Sequence, residues 1–384
     1  MLRNILIVIV FVTTRIALAS PPVIHTLRVP NAGIQPQVGV DTNGTAHLIY
    51  YKGDPSHGDI FYTHSKVSGA TFSPSIPVNS LAGSAIAMGT IRGAQMAIGK
   101  NNRIHIAWNG SGPAEPKGAG DSVPMLYARL NDTGDAFEPQ RNVIAKHHGL
   151  DGGGSIAADA EGNVYIAWHA PEKKEQNEEG RRVWIARSID DGRTFALETA
   201  VSPDPTGACG CCGLKLLADS HGHVFTLYRS ATEMVHRDMY LLRSDDHAAH
   251  FVSTKISPMT IGQCVMSSAA MIDSPHGAIA AWETESQIYW GRLAKDGARI
   301  SSNISAPGPT RNRKHPALAS NKAGEVLLVW TEGTDWNKGG SITWQLYDAA
   351  GKEISGANGG KTGLPVWSFP AAFANADGSF TIIY

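Results

Sequence analysis

A short strand, a polar turn and an apolar strand ending in an aromatic residue recur seven times along this 384-residue chain. The copies read VGVDTNGTAHLIY, ending at Tyr50, MAIGKNNRIHIAW at Trp108, IAADAEGNVYIAW at Trp168, LLADSHGHVFTLY at Tyr228, AMIDSPHGAIAAW at Trp282, LASNKAGEVLLVW at Trp330 and AFANADGSFTIIY at Tyr384. In six of them the turn residue (Gly44, Asn102, Gly162, Gly222, Gly324, Gly378) lies six positions before the aromatic; Gly277 lies five before. Gly and Asn are the residues that accept a left-handed backbone, and the flanking runs are β-branched, aromatic or Ala-rich. Each copy therefore reads as a hairpin buried on both faces.

Successive end aromatics are 48 to 60 residues apart, the length of a four-stranded propeller blade with its connections. A second unit follows each of the first six hairpins: a strand, a turn and an edge strand, as in VWIARSIDDGRTFALETAV and MYLLRSDDHAAHFVSTKIS. After Tyr384 there is no chain for a seventh, but Val23 to Val29 offers one spare strand. The pattern predicts an all-β propeller of four-stranded antiparallel blades. Seven blades are expected, the last closed by the N-terminal strand and one strand short, with six blades as the alternative. Radial repetition buries the faces of each sheet against its neighbours and leaves only short edges.

Composition agrees. With 41 Gly and only 17% charged residues, the chain has no Leu/Glu/Lys-rich stretches for a helical bundle or coiled coil. A formal charge of -1 gives no electrostatic reason to bind nucleic acid or an anionic membrane surface. Residues 1–19 read as a secretory signal: Arg3 precedes an apolar run from Ile5 to Val12, and Ala17-Leu18-Ala19 is a small-x-small cleavage pattern. An N-terminal anchor is the alternative; its apolar run is short of the ~20 residues a span needs. Arg15, inside the region leading to the cleavage site, is the one awkward residue. Residues 20–384 are then one propeller domain, secreted or periplasmic, with no membrane insertion after cleavage. Export permits disulfides and, in a glycosylating host, use of the sequons at Asn43, Asn109, Asn131 and Asn303.

The third inter-hairpin unit contains Ser188, Asp190, Gly192, Thr194 and Phe195 in the order S-x-D-x-G-x-T-F. This resembles the Asp-box of the BNR repeat family that includes the sialidases. Degraded versions stand at Ser65 to Phe72, Leu130 to Phe137 and Ser244 to Phe251. The resemblance implies a sialidase-like propeller in which these five residues form a structural turn at the blade periphery, and a glycan or glycoconjugate as partner. It also implies glycoside hydrolysis at the axial pocket: three arginines on a substrate carboxylate, a Tyr activated by a Glu, and an Asp as acid/base catalyst. Arg92, Arg237 and Arg313 are the candidates for the first group, Glu283 for the carboxylate, and Asp59 or Asp238 for the acid. The first-blade approach, Ala32 to Gln37, lacks the arginine that sialidases usually carry there, and no nucleophilic Tyr is placed.

Counting back from each end aromatic gives the residues that cross the propeller face near its axis: Gln35 and Gln37, Arg92 and Gln95, His148 and Asp151, Cys209, Cys211 and Cys212, Cys264, Arg311, Arg313 and His315, and Trp367. Gln95, His148, Asp151, His315 and Trp367 are candidate substrate-binding residues. Loops after the aromatics add Asp54, His57, Asp59, Glu172, Arg229, His236, Glu285, Glu332 and Trp336. The segment from Glu172 to Arg182 reads as a charged, mobile insertion. Cys209, Cys211 and Cys212 precede one innermost strand and Cys264 stands at nearly the same depth in the next blade, so the two segments are expected to touch. They read first as one or two disulfides with the pairing open, and alternatively as a thiolate metal site for Cu(I) or zinc; no other cofactor is implied. Two functions remain open: a sialidase-like glycosidase, and a non-catalytic propeller that binds a glycan, a protein or a metal through its Cys-bearing face.

Overall fold

A computed structural model describes residues 21–66, 71–146, 150, 152–171, 173, 177–294, 297, 299–309 and 312–384. The predicted signal segment lies outside them. Each hairpin predicted from the repeat is present, and the turn residue is left-handed in all seven, from Asn102 at φ 59° to Gly162 at φ 99°. The end aromatics are buried, six of them to 1% exposure or less.

Six antiparallel sheets have four strands in sequence order, and each is one blade. Their first strands are Ile34–Val40, Gln95–Ile98, Ser155–Ala158, Lys215–Ala218, Ala270–Ile272 and Arg313–Ser320. The seventh blade has three strands, Ala371–Ala374, Phe380–Ile383 and Ile24–Leu27, and the last of these runs parallel to Phe380–Ile383. The N-terminal strand therefore closes the ring, one strand short, as the repeat predicted. Val29 N–H donates to the Tyr384 carbonyl at 3.1 Å and carries the closure one step further. Each first strand packs against those of the neighbouring blades, so the seven surround a central cavity of about 390 Å³. Between blades the core consists of separate apolar layers, such as Ile106, Trp108 and Leu126 of blade two against Ile49, Tyr51 and Ile60 of blade one.

The third-blade segment Ser188 to Phe195 folds as a turn that satisfies its own backbone. Asp190 accepts from Thr194 N (2.8 Å) and Thr194 Oγ1 (2.6 Å), while Ser188 Oγ accepts from Gly192 N at 2.9 Å. These bonds outweigh the effect of burial and hold the Asp190 carboxyl down at about 2. Phe195 packs edge-on against Tyr127 of blade two, centroids 5.0 Å apart. The degraded fourth-blade copy keeps the same bonds: Asp246 accepts from His250 N and Ser244 Oγ from Ala248 N, both at 2.9 Å. The motif thus locks blade to blade at the rim, opposite to the face described next.

Candidate functional site at the axial face

The face crossed by the chain before each innermost strand carries unusual backbone. Gln35 (φ 54°), Thr90 (φ 60°), Met266 (φ 52°), His315 (φ 51°) and Trp367 (φ 57°) are all left-handed, one in the approach to each of five blades. A non-glycine residue there is strained by roughly 1 kcal/mol or more, and such strain concentrates at functional sites. At blades one and six it coincides with a register shift, after Ile34 and after Lys314, that places Gln35 and His315 out of the ladder.

The mouth of the cavity is filled from blade two. A methyl group at Gly153 would overlap the Ile91 carbonyl oxygen, and one at Gly213 would lie 3.9 Å from Ile91 Cβ and 3.3 Å from Ser268 Cβ. Ile91 thus sits against the approaches to blades three and four. Gln35 ties two more loops together, donating from Nε2 to the Ala87 carbonyl (2.7 Å) and the Trp367 carbonyl (2.8 Å). Beneath the plug, Lys215 Nζ donates to Gln95 Oε1 at 3.0 Å, and burial pushes the Lys215 ammonium down to about 8. Gln37 also lines the cavity. Beside the plug, Thr90, His315, Trp336 and Trp367 line a small recess with Lys314, Asp335 and Lys338 on its walls. A methyl at Gly89 would lie 3.1 Å from both the Trp336 ring and Arg92 Nη1, which puts Arg92 beside that ring. His315 is buried, its Nδ1 3.1 Å from Ser268 Oγ, and burial pushes its imidazole down to about 3, so it is neutral. Trp336 is 41% exposed.

The remaining arginines are engaged elsewhere. Buried Arg313 donates to Glu332 Oε1 (3.0 Å), Gln287 Oε1 (2.8 Å), Ala306 O and Pro307 O, and lies over the Trp330 ring. Arg237 pairs with Glu178 (2.6 Å), and Asp238 pairs with Lys255 (2.6 Å). Glu283 is 2% exposed and pairs with buried Arg229 at 3.2 Å; burial raises its carboxyl above the usual range despite that cation. Among the described residues no tyrosine hydroxyl hydrogen-bonds Glu283. Asp59 accepts from Asn79 Nδ2 and Gly83 N, both at 2.7 Å, and holds the loop leading to the plug. Asp54 caps Ser56, with His57 at 3.3 Å. His236 faces Thr260, and Glu285 N lies on the Met259 sulfur. His148, Asp151, Glu172 and Arg311 lie outside the described residues.

The segment read as a mobile charged insertion is corrected over 177–182. Glu178–Gly180 forms a 3-10 turn, and Glu178 bridges Arg237, Arg181 (3.2 Å) and the Gly210 amide (2.6 Å). A charge run alone did not reveal this, because two of its three partners, Gly210 and Arg237, stand 32 and 59 positions away. The cysteine segments meet as expected. Cys211 and Cys264 form a disulfide with Cα atoms 6.1 Å apart, and Cys209 and Cys212 lie buried beneath it as free thiols.

No family model and no curated protein matches the chain. Solved structures do match in fold. The Hadza microbial sialidase Hz136 superposes with a TM-score of 0.54 at 13% identity, over 83% of this chain and 66% of that one. The Penicillium chrysogenum alpha-L-arabinanase complexed with arabinobiose gives 0.53 at 14%, over 84% and 95%. The Trypanosoma rangeli sialidase in complex with the inhibitor DANA gives 0.51 at 12%, and this chain spans 54% of it. The chain is a seven-bladed propeller, similar in fold to these sialidases and this arabinanase.

Proposed function

We propose that the chain is a glycan-binding propeller that stacks a sugar on the exposed Trp336 ring at the edge of the axial recess beside the Ile91 plug, without exo-sialidase chemistry. The observation that carries this reading is the exposed Trp336 ring, with Trp367 and Thr90 beside it and Lys314, Lys338 and Asp335 on the recess walls. A sugar ring presents C–H groups on its faces that pack on an aromatic ring, and hydroxyls at its rim that need polar partners. Two lysines against one carboxylate favour an acidic sugar. Hydrolysis of a sialoside asks for arginines converging on one carboxylate, and here Arg237 and Arg313 are held by Glu178 and Glu332. The glycosidase folds of the structural neighbours support carbohydrate as the ligand class.

Isothermal titration of the full chain with oligosaccharides containing uronic or sialic acids, and with their neutral counterparts, tests this. Binding that weakens at least tenfold in Trp336→Ala supports the reading. No binding, or binding indifferent to Trp336→Ala, overturns it.

A further inference from the structure

The cysteine cluster is the most concentrated reactive chemistry in the molecule, and glycan recognition does not use it. Cys209 Sγ lies 2.9 Å from Cys212 Sγ and 3.4 Å from Cys211 Sγ. The Cys209 and Cys212 sulfurs are buried, at 0% and 2% exposure, in an apolar pocket with Met259 and Val265. Exposed Cys264 and its disulfide to Cys211 cover them. The two thiols stand in a C-x-x-C turn, within hydrogen-bond contact of each other. The Cys212 amide donates back to the Cys209 carbonyl at 3.3 Å and closes the turn.

The surroundings suit a bound cation of low charge. Arg229 sits next to Cys212 and Arg237 next to Cys209, each already paired with one carboxylate, Glu283 and Glu178. Two thiolates would bring two negative charges to this place, and one monovalent cation leaves only one for the arginine pairs to offset. Among the described residues the donor group consists of cysteines alone, with no histidine or carboxylate joining it. Sulfur-only donors select soft ions, and two thiolates leave zinc short of its usual four ligands. Cu(I) is content with two or three.

We propose that Cys209 and Cys212 form a Cu(I) site beneath the Cys211–Cys264 disulfide. Two copper–sulfur bonds form and both thiol protons pass to solvent; copper and sulfur keep their oxidation states. With metal–thiolate bonds of about 2.3 Å, the sulfurs, 2.9 Å apart without the ion, part by about 1.1 to 1.7 Å when it enters, the larger figure for linear two-coordination. The site is independent of the sugar recess, so failure of either proposal leaves the other standing.

The test is anaerobic titration of the full chain with Cu(I) in competition with bicinchoninate, after counting thiols in denaturant. Two free thiols, one Cu(I) per chain and two protons released are expected. Cys209→Ser and Cys212→Ser should each weaken retention at least 100-fold, and Cys264→Ser should keep it. Should the serine variants not fold, alkylation of the wild-type chain decides: Cu(I) must shield Cys209 and Cys212 from iodoacetamide. Zero free thiols, which means a second disulfide, would overturn the proposal. So would copper uptake that survives both serine substitutions, or alkylation unaffected by copper.

Discussion

Gly192→Ala tests the blade-to-blade lock at a single atom. Gly192 is left-handed at φ 75°, and a methyl group there would overlap the Tyr127 hydroxyl, 2.9 Å from its Cζ and 3.3 Å from His105 Nδ1. Tyr127 is fully buried and bonded to His105 Nδ1 at 2.7 Å, so it has no room to swing aside. An L-residue in the left-handed region costs about 1–2 kcal/mol, and overpacking a rigid site costs about 1–3 kcal/mol. The sum is about 2–5 kcal/mol. With an unfolding entropy of about 2.1 cal/mol/K per residue, a chain of this length shifts by roughly 1.3 °C per kcal/mol. Differential scanning calorimetry should therefore show a Tm lower by about 3–6 °C. Adding Tyr127→Phe removes the overlapping oxygen at the cost of one hydrogen bond, about 1 kcal/mol. The double variant should then be more stable than the two single effects predict when added, by at least about 1 kcal/mol. A neutral Gly192→Ala, or strict additivity with Tyr127→Phe, would refute the packing of the third-blade turn on the second blade.

Other outcomes follow from the axial face. Lys215→Met should stabilise the chain at pH 7 by up to about 3 kcal/mol, because the fold holds this ammonium at about 8 against about 10.4 when unfolded. The gain should vanish as pH rises from 8 to 10.4, measured by urea unfolding; destabilisation instead would mean that the charge holds an anion. His315 is held down at about 3, so its contribution is complete above the unfolded pKa near 6.5 and is lost as pH falls from 6.5 toward 3. His315→Phe should flatten that acid limb in a stability-against-pH profile. Arg313→Met strands the Glu332 carboxylate and should cost about 3–5 kcal/mol in urea unfolding; a neutral result would free Arg313 for substrate.

The repeat made the architecture legible because a propeller writes its period into the chain. Seven turn residues, six of them at one spacing from their aromatics, fix the hairpins, and a spare strand before Ile34 predicts the closure. The axial residues were legible only as a set. Counting back from the aromatics brought Gln35, Arg92, Gln95, His315 and Trp367 to one face, but said nothing of which side chains meet. Arg313 and Arg237 are held by Glu332 and Glu178, and no spacing rule announces such pairs. Glu178 was hidden in a charge run, and nothing in the sequence singles out Lys215, which the ring places in the cavity. The Ile91 plug was equally silent, since it depends on glycines at 153 and 213 that admit a backbone from another blade. For the cysteines, equal depth in adjacent blades predicted contact, while the pairing of Cys211 with Cys264 needed three dimensions.

One incubation separates recognition from cleavage. The full chain is mixed with a reducing-end-labelled library of acidic and neutral oligosaccharides, and the captured and free fractions are read by mass spectrometry. The account predicts that acidic glycans are captured intact and lost from the captured fraction in Trp336→Ala. Shortened products that accumulate with time and disappear in Glu283→Gln would contradict it.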